Sequence, residues 1–142
     1  MAPPGGPATC STDRVSANRR RVRSGSPFEA TIGFSRAVRS GRRVLVSGTA
    51  PILADGSCPD GAEAQARRCF EIILAALAEC GASAYDVVRT RMYITDAADA
   101  EAVGRAHADA VGVARPATSM VVVAGLLDAR WRVEIEAEAE LR

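Results

Sequence analysis

Residues Trp131 to Glu140 alternate without a break. Trp131, Val133, Ile135, Ala137 and Ala139 fall on one side, and Arg132, Glu134, Glu136, Glu138 and Glu140 fall on the other. A period of two marks a β-strand with one face in a core and the other toward water or a cleft. The preceding stretch, Arg115-Pro116-Ala117-Thr118-Ser119-Met120-Val121-Val122-Val123-Ala124, is a nearly continuous apolar run, as expected for a strand covered on both faces. The two read as a C-terminal β-hairpin. Its carboxylate row makes it the place to look for a catalytic site.

The rest of the chain supplies what such a hairpin packs against. Residues 1–24 are rich in Pro, Gly, Ser and Arg and read as a disordered tail. Residues 25–142 read as a single domain. Ile32, Phe34 and Ala37 suggest a first strand, and Val44 to Thr49 a second. Gly48 lies where backbone comes close to a ligand. Asp60 and Glu63 form a capping-box pattern ahead of a helix over about 61–80, with Ala66, Phe70, Ile73, Leu74 and Leu77 as its apolar stripe and Gly81 as its stop. In the strand that follows, Val88, Met92 and Ile94 share one face, and Arg89, Arg91 and Tyr93 the other. Asp96 and Asp99 open a second helix ending at Gly112. The order ββ-α-β-α-ββ predicts an α+β sandwich: a mixed β-sheet with two helices packed on one face. Strand parity then puts Arg89, Arg91, Tyr93, Thr118, Met120, Glu134 and Glu136 on the open face. That mixture suits a subunit interface with clefts better than bulk water.

Composition narrows the chemistry. All 18 basic residues are arginine. A Schiff-base lysine, a phosphate-loop lysine and a Ser-Lys dyad are therefore excluded. Net charge is +1 and aromatics are 4% of residues, which argues against a nucleic-acid partner. No apolar run is long enough for a membrane span, and residues 1–24 hold no secretory apolar core, so a cytoplasmic protein is expected. Cys10, Cys58, Cys69 and Cys80 lack metal-ligand spacing, and the single His107 is remote from them in sequence. No metal site is expected, and Cys69 and Cys80 read as buried small hydrophobes.

In order along residues 27 to 141, Val46-Ser47-Gly48-Thr49-Ala50-Pro51, the helix from Gln65 to Gly81, Ala82 to Val88, Tyr93 to Asp96, Arg115-Pro116-Ala117 and Val133-Glu134-Ile135-Glu136-Ala137 resemble the Rid/YjgF family. Its best-known members hydrolyse reactive enamines and imines. The resemblance implies a chorismate-mutase-like fold, a homotrimer with small-molecule clefts between subunits, and no cofactor. It also implies that Glu134 positions the hydrolytic water and that Phe28, Ser47, Gly48 and Gly104 line the cleft. Family deaminases carry a carboxylate-binding arginine in a Pro-Ala-Arg-Ser motif. Here the motif is Pro116-Ala117-Thr118-Ser119, so the chain resembles the arginine-lacking branches. A hydroxyl does not replace a fork of charged donors.

The candidate catalytic residues are thus Glu134 and His107, the latter as a proton shuttle because its ordinary pKa lies near neutrality. Thr118, Phe28, Ser47, Gly48, Gly104 and Arg115 are the candidate substrate contacts, with Arg115 a substitute carboxylate anchor. The leading function is an imine or enamine hydrolase acting on a neutral or weakly polar ligand. The alternatives are a non-catalytic small-molecule-binding trimer and an RNA-directed endoribonuclease or translation inhibitor.

Overall fold

The computed structural model describes residues 19–142. The strands are β1 (Arg19–Val22), β2 (Ala37–Ser40), β3 (Arg43–Thr49), β4 (Val87–Ile94), β5 (Ala117–Val122) and β6 (Val133–Glu140). The helices are α1 (Ala62–Glu79) and α2 (Ala100–Val111). One mixed sheet runs in the order β1-β2-β3-β6-β4-β5. Both β3 and β4 are antiparallel to β6, and β5 is parallel to β4. The helices lie on one face, so the expected α+β sandwich is the fold observed.

The predicted C-terminal hairpin does not form. β6 pairs with β3 and β4, while β5 pairs only with β4, across which the α2 crossover carries it. The reason is the connection: β3 and β4 run parallel with α1 between them and do not pair with each other, which leaves a central slot that β6 fills, antiparallel to both. The strand with the strict alternation takes that slot. Val133, Ile135, Ala137 and Ala139 are at most 2% exposed. The apolar run of β5 is instead an edge, with Val121 and Val122 facing outward.

The N-terminal part also departs from expectation. Arg19–Val22 is a strand paired with β2, and Val22 is buried, so ordered structure begins inside the predicted tail. The remainder of that tail, residues 1–18, lies outside the described residues. Ile32 is not in a strand: Glu29–Gly33 forms a π-helical turn before β2. The Asp60/Glu63 capping box is absent. Gly61, at φ 86°, caps α1, and Glu63 binds Arg67 instead. A bulge between Val87 and Arg89 turns Val88 outward, so Thr90 joins Met92 and Ile94 on the buried face.

The core lies between the helices and the sheet. Phe70, Ile73 and Leu77 of α1 and Val103 and Val111 of α2 meet Val44, Met92, Ile94, Val133 and Ile135. Cys69 and Cys80 are buried there as free thiols. No helix among the described residues is long and apolar enough to cross a membrane.

One buried polar side chain ties α1 to the start of β6. The Gln65 amide donates to the Pro59 and Arg130 carbonyls, both at 3.0 Å, and accepts from the Arg132 N–H at 2.8 Å. Gln65→Leu leaves all three backbone groups without that partner. We predict a loss of about 2–4 kcal/mol in denaturant unfolding, seen as a lower midpoint at unchanged slope.

Candidate functional site

The four carboxylates of β6 are not equivalent. Glu136 accepts from Arg91 at 3.2 Å and from the Tyr93 hydroxyl at 2.8 Å. Glu138 pairs with Arg43 at 3.0 Å, and Glu140 lies 4.0 Å from Arg42. Among the described residues Glu134 alone of the row has neither an ion pair nor a hydrogen bond. It is half-buried, and that burial pushes its carboxyl above the ordinary carboxylate range; Arg36 opposes the shift and Glu136 adds to it.

The floor beneath Glu134 is Gly48. A Cβ at Gly48 would lie 3.4 Å from the Glu134 carboxyl carbon and 3.6 Å from each oxygen. Glycine thus leaves the carboxylate its room. The backbone is placed by a bulge: Val46 pairs with Ala137 and Thr49 with Ile135, so β3 spends one residue more than β6 over this step. The Gly48 carbonyl accepts from Arg36 Nη2 at 2.6 Å. Ser47 turns its hydroxyl to the Ser35 carbonyl at 2.6 Å. Phe28 stands at the start of the π-helical turn with its ring largely exposed. Beneath the site, Cys69 donates to the Thr49 carbonyl, and burial pushes its thiol far up, which leaves it inert.

A second cluster forms on the helix side of the sheet. The parallel register sets Thr118 opposite Thr90, not on the open face with Glu134 as strand parity predicts. Thr118 Oγ1 lies 2.9 Å from Thr90 Oγ1 and 3.1 Å from the Pro116 carbonyl, and Thr90 Oγ1 lies 2.8 Å from His107 Nε2. Thr118 Oγ1 also lies 3.3 Å from His107 Nε2. With a proton on Nε2 the donors run from His107 to Thr90 to Thr118 to the Pro116 carbonyl; with Nε2 unprotonated the threonine hydroxyls donate toward the ring instead. Burial lowers the His107 pKa, and the ring packs edge-on against Phe70, with centroids 5.6 Å apart. Gly104, one turn earlier on α2, has open space where a Cβ would stand. Arg115 is exposed at φ 49°, a left-handed position just before Pro116.

Six of the eight predicted residues therefore fall into two groups, and the exposed Phe28 and Arg115 bond to neither among the described residues. Glu134, Ser47 and Gly48 meet at β3 and β6. His107 and Thr118 meet at α2 and β5, with Gly104 one turn away on α2. β4 separates the two groups within one chain. Sequence reading missed Arg36 and Thr90. Arg36 is one of 18 arginines with no motif to single it out. Thr90 becomes polar neighbour to Thr118 only through the register of β4 on β5.

Comparison with known proteins decides the family. The sequence model described as "Endoribonuclease L-PSP" matches residues 25–141. The chain belongs to the Rid/YjgF family. A structure of a YjgF/YER057c/UK114 family member from Mycobacterium tuberculosis is 46% identical at TM-score 0.80, covering 87% of this chain and 99% of that one. RidA from the Antarctic bacterium Psychrobacter is 30% identical at TM-score 0.72, covering 76% and 88%. An uncharacterized protein of Streptomyces coelicolor is 41% identical over 121 residues, 84% of this chain and 90% of its own.

Two shifts give opposite pH signatures. A raised Glu134 means the folded state holds its proton longer than the unfolded chain, so ionisation costs stability above the unfolded value. Glu134→Gln is therefore expected to melt higher than wild type at neutral pH, the gap closing toward about pH 4. A lowered His107 contributes stability above its unfolded value that is lost as pH falls through about 6.5. In His107→Gln that acid-side slope should be absent, as thermal melts across pH 5–8 would reveal.

Proposed function

We propose that the protein hydrolyses the C=N bond of an uncharged or weakly polar imine or enamine, with Glu134 as the group that positions and deprotonates water. The observation that carries this reading is Glu134 itself, a half-buried carboxylate without a partner among the described residues, seated on a glycine. An enamine first tautomerises to its imine. Glu134 takes a proton from water as the hydroxide adds to the imine carbon, the nitrogen gains a proton to give the carbinolamine, and the carbinolamine, with its hydroxyl proton passed to nitrogen, collapses to a carbonyl compound and ammonia. His107, whose pKa burial lowers, suits proton exchange at the second group.

Membership of the Rid/YjgF family and the likeness to RidA support the reaction class, while the matching sequence model's description as an endoribonuclease is what speaks for the RNA-directed reading. Thr118 sets the ligand class. Its hydroxyl is uncharged and already faces Thr90 and the Pro116 carbonyl, so it offers no cationic fork to a carboxylate. The two groups complete one cleft only if a second copy faces the first. The apolar outer edge of β5, with Val121 at 45% and Val122 at 54% exposure, suits that contact, and a homotrimer is the assembly we propose.

A binding protein without chemistry is the second reading, and the closed Thr118 network favours it over an acidic-substrate deaminase. An RNA-directed activity has less support, since Arg43, Arg67, Arg68, Arg91, Arg130 and Arg132 already pair with carboxylates.

The test is ammonia release from a panel of imines generated in situ from neutral and acidic amines. Neutral imines should turn over, and Glu134→Gln should lower kcat by about 10²–10⁴-fold. Turnover of acidic imines alone would refute the role given to Thr118. Binding of a neutral ligand without turnover would establish the second reading. For the assembly, Val121→Lys is expected to yield a smaller species in light scattering and to lose turnover with it.

A further inference from the structure

Arg36, in the segment just before β2, carries a guanidinium whose Nε is buried and without a hydrogen-bond partner. Its one hydrogen bond is from Nη2 to the Gly48 carbonyl at 2.6 Å. No ion pair joins it to a carboxylate among the described residues. A partly buried cation with an unmatched Nε is disfavoured unless a field compensates it. Two carboxylates supply the field, Glu29 and Glu134, and Arg36 acts back on Glu134 as the largest influence opposing burial.

The geometry explains why charge is shared but contact is not. Arg36 grips the oxygen of Gly48, and Glu134 rests over its Cα. A direct Arg–Glu fork would occupy the carboxylate lone pairs. With glycine between them, the positive charge stays close while both Glu134 oxygens stay open to water. The β3 bulge makes this possible by taking Gly48 out of the ladder with β6. Glu29 is held separately: both its oxygens accept from the Ser24 N–H, at 3.0 and 3.2 Å.

We propose that Arg36 is a positioning residue for hydrolysis, whose charge, anchored on the Gly48 carbonyl, holds Glu134 in the ionised, water-accepting form. This rests on the role given to Glu134 above. Other charged or titratable groups acting on Glu134 or Arg36 are Glu136 on its own strand, Tyr93 on β4, Cys69 on α1 and Glu29 on the π-helical turn. None of these favours the charged form of Glu134; among the described residues Arg36 does.

The experiment reads the Glu134 carboxyl directly, by carbon NMR titration of the full chain, in wild type, Arg36→Gln and Arg36→Lys. The Glu134 midpoint should rise in Arg36→Gln and return toward wild type in Arg36→Lys. With a confirmed imine substrate, the acid limb of kcat/KM should move up with it. Activity on that limb falls about tenfold, while the alkaline plateau and KM stay near wild type. An unchanged Glu134 midpoint in folded Arg36→Gln would overturn the proposal and assign Arg36 to Glu29 alone. Should Arg36→Gln not fold, the Arg36 Nε resonance replaces it. That resonance should follow the Glu134 titration in wild type and not in Glu134→Gln, and no difference between the two overturns the proposal. Because the titration needs no substrate, absence of turnover would count against hydrolysis and leave the Arg36–Glu134 coupling separately decided.

Discussion

The fold depends on the central placement of β6. It is last in the chain but second to none in burial on its inner face, because β3 and β4 run parallel and leave a slot between them. Each inward methyl or branched side chain packs under α1 or α2, at roughly 25 cal/mol per Å² of apolar area removed from water. The same alternation fixes the outer face. A slip of one residue would drive four carboxylates into the core, so the register is set with a very large penalty for error. The outer carboxylates then meet arginines on the flanking strands, Arg43 on β3 and Arg91 on β4. Those pairs are partly exposed and contribute little stability each. Their consequence is positional: they use up Glu136 and Glu138 and leave Glu134.

How much of this was legible in the sequence follows from where each signal resides. Periodicity is local, and it located α1, α2, β3, β4 and β6 and the buried side of β6. Pairing is not local. The apolar run of β5 looks like an interior strand because composition reports what a strand prefers to touch, not whether its partner is in the same chain. The π-helical turn at Glu29–Gly33 escaped because its few apolar residues carry no period that separates it from a strand. Arg19–Val22 escaped because three of its four residues are exposed arginines, held by β2 and one buried valine. At the candidate site, Glu134, Ser47 and Gly48 were singled out through motif resemblance, and the structure sets Glu134 against Gly48, next to Ser47 in the chain. Thr118 was found too, but its face was wrong, since parity counted through an assumed hairpin fails once β5 pairs in parallel with β4.

Thr118 in place of arginine changes more than one contact. An arginine there would need a carboxylate to meet its charge, whereas threonine is satisfied by Thr90 and the Pro116 carbonyl. The whole β5–α2 cluster is consequently uncharged, with a histidine that burial also holds neutral. Among the described residues the positive charge that acts on Glu134 is then Arg36, behind the Gly48 carbonyl. Such a charge steadies a carboxylate without presenting its fork to a substrate anion. In the proposed function, separating the two tasks lets a water-positioning glutamate act on a ligand that carries no carboxylate. It also accounts for an arginine buried with its Nε unmatched: the conformation that would satisfy it by pairing with Glu134 would occupy the oxygens that the proposed chemistry requires.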